Sequence, residues 1–175
     1  GTGRRLIWVW TFSIFYVVGS ACLWWVAPGG GDGMLFWAVC AFGIGFIGME
    51  FATIFTNALM PSLTQADDLG AISGSGFAFG YLGGLLALII MLLFFAEGAD
   101  SGLTLLGLEP LFGLDPEARE GTRFVGPFTA IWFVVFMVPF FLWVKEPKMD
   151  ARPLHLGRAF ASLRKIKPHV AAWWN

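Results

Sequence analysis

Charge is scarce in this chain of 175 residues: Asp, Glu, Lys and Arg together make up 13% of it, about half the share of an average soluble domain. The formal net charge is −1, so there is no global basic field and no nucleic-acid partner is expected. Cysteine is nearly absent. Cys22 and Cys40 alone exclude a disulfide scaffold and a multi-cysteine zinc site, and the only histidines, His155 and His169, lie in the C-terminal tail, so no metal site is expected. No Ser/His/Asp or Cys/His set falls inside an apolar segment, which leaves hydrolase chemistry without support. The chain therefore reads as a non-enzyme without a cofactor. No cleavable leader is visible either.

What is abundant is apolar surface. Hydrophobic residues make up 57% of the chain, with 19 Phe, 9 Trp and 23 Gly. One soluble core of this size cannot hide so much apolar area. A bilayer can. Its hydrocarbon core, about 30 Å thick, needs roughly 20 apolar residues per helix, and four segments meet that length: residues 6–27, 34–60, 71–96 and 124–144. Three carry no charge; the second contains Glu50, and an acid there costs only about 2.5–3.5 kcal/mol on insertion scales.

Basic residues orient the spans. Arg4 and Arg5 precede the first, and Lys145, Lys148, Arg152, Arg158, Arg164, Lys165 and Lys167 follow the fourth, against only Arg119 and Arg123 between the third and fourth. Both ends are therefore expected in the cytoplasm, with residues 28–33 and 97–123 outside and 61–70 inside. Trp8, Trp10 and Trp143 near inner ends and Trp24, Trp25 and Trp37 near outer ends fit interfacial aromatic belts. The outer segment is expected to be an exposed loop. In residues 147–175, Leu154, Leu156, Ala159, Phe160, Leu163 and Ile166 form a helical stripe flanked by basic residues, which predicts a cytoplasmic amphipathic linker against the anionic inner leaflet, leading to a new apolar run at VAAWWN.

Two constellations inside the spans carry functional content. Glu50, Thr53 and Asn57 fall at i, i+3 and i+7 on one helix face. An intramembrane acid defaults to a proton relay or solute contact, and the plainer alternative is structural pairing elsewhere. In the third span Gly76, Gly80 and Gly84 recur every four residues, with Gly83 beside them; such small-residue faces permit close helix packing, and Gly43, Gly45 and Gly48 offer small residues on the second span. Hinging or solute access along that glycine face is the functional reading. Ser13, Tyr16 and Ser20 share a face of the first span, where hydroxyls are expected to bond to the backbone or a neighbour. Pro139, inside the fourth, is expected to kink it.

The opening GTGRR resembles the end of the cytoplasmic signature of the major facilitator superfamily, through Gly3, Arg4 and Arg5, with the glycine and aspartate of its front part missing. FTNALMPSL (55–63), ISGSGFAFGYLGG (72–84) and GTRFVGPFTAIWFVVFMVPFFLWVKEP (121–147) resemble the vacuole-effluxer-like branch, which includes an autophagy-related amino-acid effluxer. The resemblance implies an all-α membrane protein whose four spans correspond to helices three to six of a twelve-helix transporter, part of its N-terminal half. It implies alternating access by two rocking halves, with the second and third spans next to the solute pathway. The expected function is part of a secondary active permease for a small solute, such as an amino acid, in a bacterial inner (plasma) membrane. Its expected partners are the bilayer, the solute and the remaining transporter helices. A different class stands beside it: a non-transporting membrane subunit or assembly factor that docks a partner complex.

Overall fold

The computed structural model describes residues 5–64 and 66–145. Gly3 and Arg4 of the signature remnant and the basic linker from residue 147 lie outside the described residues. Four helices are long and apolar enough to cross a membrane, and no strand occurs among the described residues. The chain is an all-helical membrane protein with four candidate spans.

Helix α1 (Arg5–Cys22) runs on as a 3-10 turn at Leu23–Trp25, and α2 spans Gly31–Leu63. The link between them reverses direction in a few residues because Gly29 (φ 77°) and Gly31 (φ 67°) occupy the left-handed region, where a side chain would be strained. With 33 residues, α2 is about 50 Å long at 1.5 Å per residue, more than the hydrocarbon core requires, and it begins earlier and ends later than the apolar run alone suggests. It passes Pro61 before stopping at Leu63. Pro61 has no N–H, so the carbonyl of Asn57 loses its usual i+4 donor.

Helices α1 and α2 form an antiparallel pair. Trp8 stacks on Phe55 and Phe12 on Phe51, with ring centroids 6.0 and 4.8 Å apart. Further out, Gly48 meets the backbone at Phe12 and Tyr16, and Gly19 meets that at Ala41 and Gly45. At the inner end Arg5 Nη1 donates to the carbonyl of Ala58, in the last turns of α2 where a cation offsets the negative helix end. The small residues Gly45 and Gly48 therefore pack on α1.

A short outer helix α4 (Glu120–Arg123) leads into α5 (Val125–Trp143), which lies antiparallel on α1. Gly126 fits beside Ser20 and Leu23, Tyr16 meets Phe133 edge-on at 4.6 Å, and Trp10 stacks on Phe141 at 3.8 Å. Helix α5 runs through Pro139 as one helix. Pro139 has no N–H, so the carbonyl of Val135 loses its usual i+4 donor. Ser13 is buried, yet its hydroxyl has no hydrogen-bond partner, contrary to the expected backbone bond.

Helix α3 (Leu69–Phe94) is held differently. From Leu69 to Ile90 no residue is buried, whereas Met91, Phe95 and Glu97 are. Phe95 packs among Phe112, Phe124 and Phe128 at 4.9–6.0 Å, and Leu105 N–H bonds to the Leu92 carbonyl at 3.1 Å. The outer segment is thus partly folded onto the helix ends rather than freely exposed, because an aromatic cluster and one buried carboxylate hold it there.

Candidate functional site

The side of α2 against α1 is built from Ala41, Gly45, Gly48, Ala52 and Leu59, all buried. With 3.6 residues per turn, Glu50 and Asn57 fall on nearly the opposite side, and Glu50, Thr53 and Asn57 are all exposed. Thr53 Oγ1 donates to the Met49 carbonyl at 2.9 Å, a bond to its own helix that leaves the oxygen's acceptor capacity outward. One face of α2 thus presents a carboxylate, a hydroxyl and an amide.

The glycine face of α3 has no close helix neighbour among the described residues: a Cβ on Gly76, Gly80, Gly83 or Gly84 would meet nothing within 4 Å. Gly80, Gly83 and Gly84 instead line an apolar cavity of about 960 Å³, whose other walls include Tyr16 of α1, Met49 of α2 and Trp132, Phe133 and Phe136 of α5. A second cavity of about 490 Å³ shares Tyr16, Met49 and Thr129 with it and reaches Ser20, Thr122 and Arg123 at the outer side. Among the described residues, close backbone packing sits at Gly19, Gly48 and Gly126. No group of His, Cys, Asp or Glu among the described residues could hold a metal ion.

The densest polar geometry lies outside the spans' centres. Glu97 is 5% exposed. It accepts the Thr122 N–H at Oε2 (3.0 Å) and the Thr122 hydroxyl at Oε1 (2.6 Å), and Arg119 Nε lies 3.3 Å from Oε1. The carboxylate satisfies a first-turn amide of α4 and sits at the positive end of that helix, where an anion is favoured. Gly121 makes the approach possible, since a Cβ there would overlap the Phe95 carbonyl and Glu97 Oε2. Arg119 adopts a left-handed backbone (φ 55°), a conformation uncommon without glycine, with its guanidinium on Glu97. The next cation along, Arg123, donates from Nε (2.8 Å) and Nη2 (2.5 Å) to the Trp24 carbonyl, and its guanidinium carbon lies 5.1 Å from the centre of the Trp24 ring.

A family profile described as MFS/sugar transport protein matches residues 1–173. The chain belongs to the major facilitator superfamily. Neither the curated proteins nor the solved structures give a match. As a major-facilitator chain with four candidate spans it is an integral, multi-pass membrane protein of transporter type, set in a lipid bilayer, and its family points to solute movement rather than to enzymatic catalysis.

Within this major-facilitator chain, Arg5 of the signature remnant is the part that can be placed, at the inner end of α2 on the Ala58 carbonyl. Spacing and composition do not single out Glu97 and Thr122, nor their pairing with Arg119. The available signal is modest: an acid directly after one apolar run and Thr-Arg directly before the next. Their pairing spans 25 residues and depends on how the intervening loop folds, which no local pattern states.

Proposed function

We propose that this chain is part of a secondary active permease that moves a small polar solute by alternating access, with Glu50, Thr53 and Asn57 as the solute- or proton-coupling group. The observation that supports it is the polar stripe of α2. An intramembrane carboxylate on the side of the helix away from its close partner, aligned with a hydroxyl and an amide, is suited to bind a proton or a polar solute. Gly76, Gly80, Gly83 and Gly84 supply a smooth face along which a neighbouring helix slides or a solute passes. Gly3, Arg4 and Arg5 stand where the cytoplasmic signature of the superfamily ends.

The finer reading from sequence motifs is an effluxer-like branch with an amino-acid solute in a bacterial inner membrane. The matching family's description names sugar instead, so both solute classes belong in the test. In the full-length protein reconstituted into liposomes, panels of amino acids and of sugars are assayed for accumulation driven by a pH gradient. Accumulation of one class that is lost in Glu50→Gln while solute exchange survives supports the coupling role. Glu50→Gln flux equal to the parent across roughly pH 5 to 8 removes that role.

A further inference from the structure

We infer that the seam between α1 and α5 holds a binding pocket for a small, uncharged, bilayer-soluble molecule with one hydrogen-bonding group, such as a phenol or a short alkanol. The inference goes beyond the permease reading and does not rest on it. It starts from Ser13, which is 4% exposed and whose hydroxyl has no hydrogen-bond partner among the described residues. Thr11, Thr53, Ser62, Ser75 and Thr129 show the ordinary arrangement, each donating to a carbonyl three or four residues back in its own helix. Ser13 makes no such bond, and it lines the cavity of about 200 Å³ between the two helices.

The chemistry of the walls defines the ligand. Val17 of α1 and Phe133 and Met137 of α5 line the pocket, and Trp10, stacked on Phe141 at 3.8 Å, borders it on the side towards Arg5. No charged residue lines it, so an ion would lose its hydration with nothing in return. An apolar cavity of about 150 Å³ is enough to hold benzene, which sets the occupant at the size of a single ring or a short chain. Among occupants of that size the one polar group discriminates. A serine hydroxyl offers one donor and two acceptor positions, and a hydroxyl on the ligand satisfies it where a methyl does not.

Depth decides the route of entry. Ser13 lies within the first apolar span, about 12 Å along the helix axis from Arg5, so a ligand reaching it must dissolve in the hydrocarbon. The pocket is formed by two helices that pack directly on each other, through Tyr16 on Phe133 and Trp10 on Phe141. Ser13 is already buried within this segment, and further helices of the full-length protein only enclose it more.

Full-length protein in lipid nanodiscs, photolabelled with a short diazirine-bearing alkanol and mapped by peptide mass spectrometry, tests the pocket. Labelling at Val17, Phe133 or Met137 is expected to saturate, whereas labelling of residues that merely touch bulk lipid rises in proportion to the probe. Phenol and toluene, nearly isosteric, are then added as competitors at equal bilayer concentrations. Phenol should displace the probe more strongly than toluene. Ser13→Ala should weaken phenol about five-fold, the factor one ordinary hydrogen bond supplies, and leave toluene unchanged. Val17→Phe, which narrows the pocket, should abolish the saturable labelling. Labelling that never saturates overturns the pocket, as does equal competition by phenol and toluene in the parent, or phenol competition that Ser13→Ala does not alter. The contrast between phenol and toluene in the parent needs no variant, so a Ser13→Ala chain that fails to fold leaves the test standing. Solute flux is not read, so absence of transport bears on the permease reading alone.

Discussion

A Cβ added to Gly19 would sit 2.6 Å from the Cα of Gly45, so helices α1 and α2 touch backbone to backbone at that point. The converse substitution is different, because a Cβ on Gly45 finds its nearest neighbour, the Ser20 amide nitrogen, at 3.4 Å. The two glycines of one contact are therefore not equivalent. Gly19→Ala, and likewise Gly48→Ala, whose Cβ would lie 2.5 Å from the Tyr16 nitrogen, should destabilise the helix pair by about 1–3 kcal/mol, the usual range for overpacking. Gly45→Ala should change little. Thermal unfolding of the full-length protein in detergent, followed by tryptophan fluorescence, ranks the three. A Gly45→Ala loss as large as that of Gly19→Ala would contradict the packing described.

Arg123 serves the outer end of α1 in two ways that mutation can separate. Arg123→Ala removes both the charged hydrogen bonds to the Trp24 carbonyl and the cation–π contact, at an expected cost of about 1.5–3 kcal/mol. Trp24→Leu keeps the carbonyl and loses the ring, at about 0.5–1 kcal/mol from the cation–π contact at an accessible site. The order of the two effects in the same unfolding assay is the check. If Trp24→Leu costs as much as Arg123→Ala, the carbonyl bonds contribute little.

Ser13 faces α5 with a buried hydroxyl and no partner, beside an apolar cavity of about 200 Å³ that Phe133 and Met137 also line. Removing an unsatisfied buried hydroxyl relieves its desolvation, so Ser13→Ala should be neutral or stabilising by up to about 1 kcal/mol. A clear drop in melting temperature would mean that the hydroxyl has a partner after all.

The orientation follows from the basic residues outside the spans and is open to a direct check. Asp67 and Asp100, both exposed, lie on opposite sides if the ends of the segment are cytoplasmic. In intact cells and a cysteine-free background, a membrane-impermeant maleimide should label Asp100→Cys, and label Asp67→Cys only after permeabilisation. The reverse pattern inverts the assignment.

Much of the helix layout was legible without coordinates because span length and lateral composition are one-dimensional properties: an apolar run long enough for a bilayer can satisfy its backbone only as a helix. The common face of Glu50, Thr53 and Asn57 was legible for the same reason, since helical period alone aligns them. Helix pairing was not. Among the described residues the close backbone approach falls on Gly19, Gly48 and Gly126, and which small residues meet depends on the shape of both partners, which a single helix's spacing does not state. The extent of α2 past Pro61 was also hidden, since proline ordinarily marks the end of a helix rather than a place inside it.

The amino-acid sequence by itself determined that this is a helical membrane protein, how many candidate spans the segment holds, and which carboxylate lies within one of them, since each of these follows from local hydropathy and period. Only the tertiary structure decided that Glu97 is buried against Thr122 and Arg119, and that Met91, Phe95 and Glu97 are the buried positions at the outer end of α3 and just beyond it. Those facts arise from groups brought together across a folded loop, where a buried carboxylate persists because donors surround it.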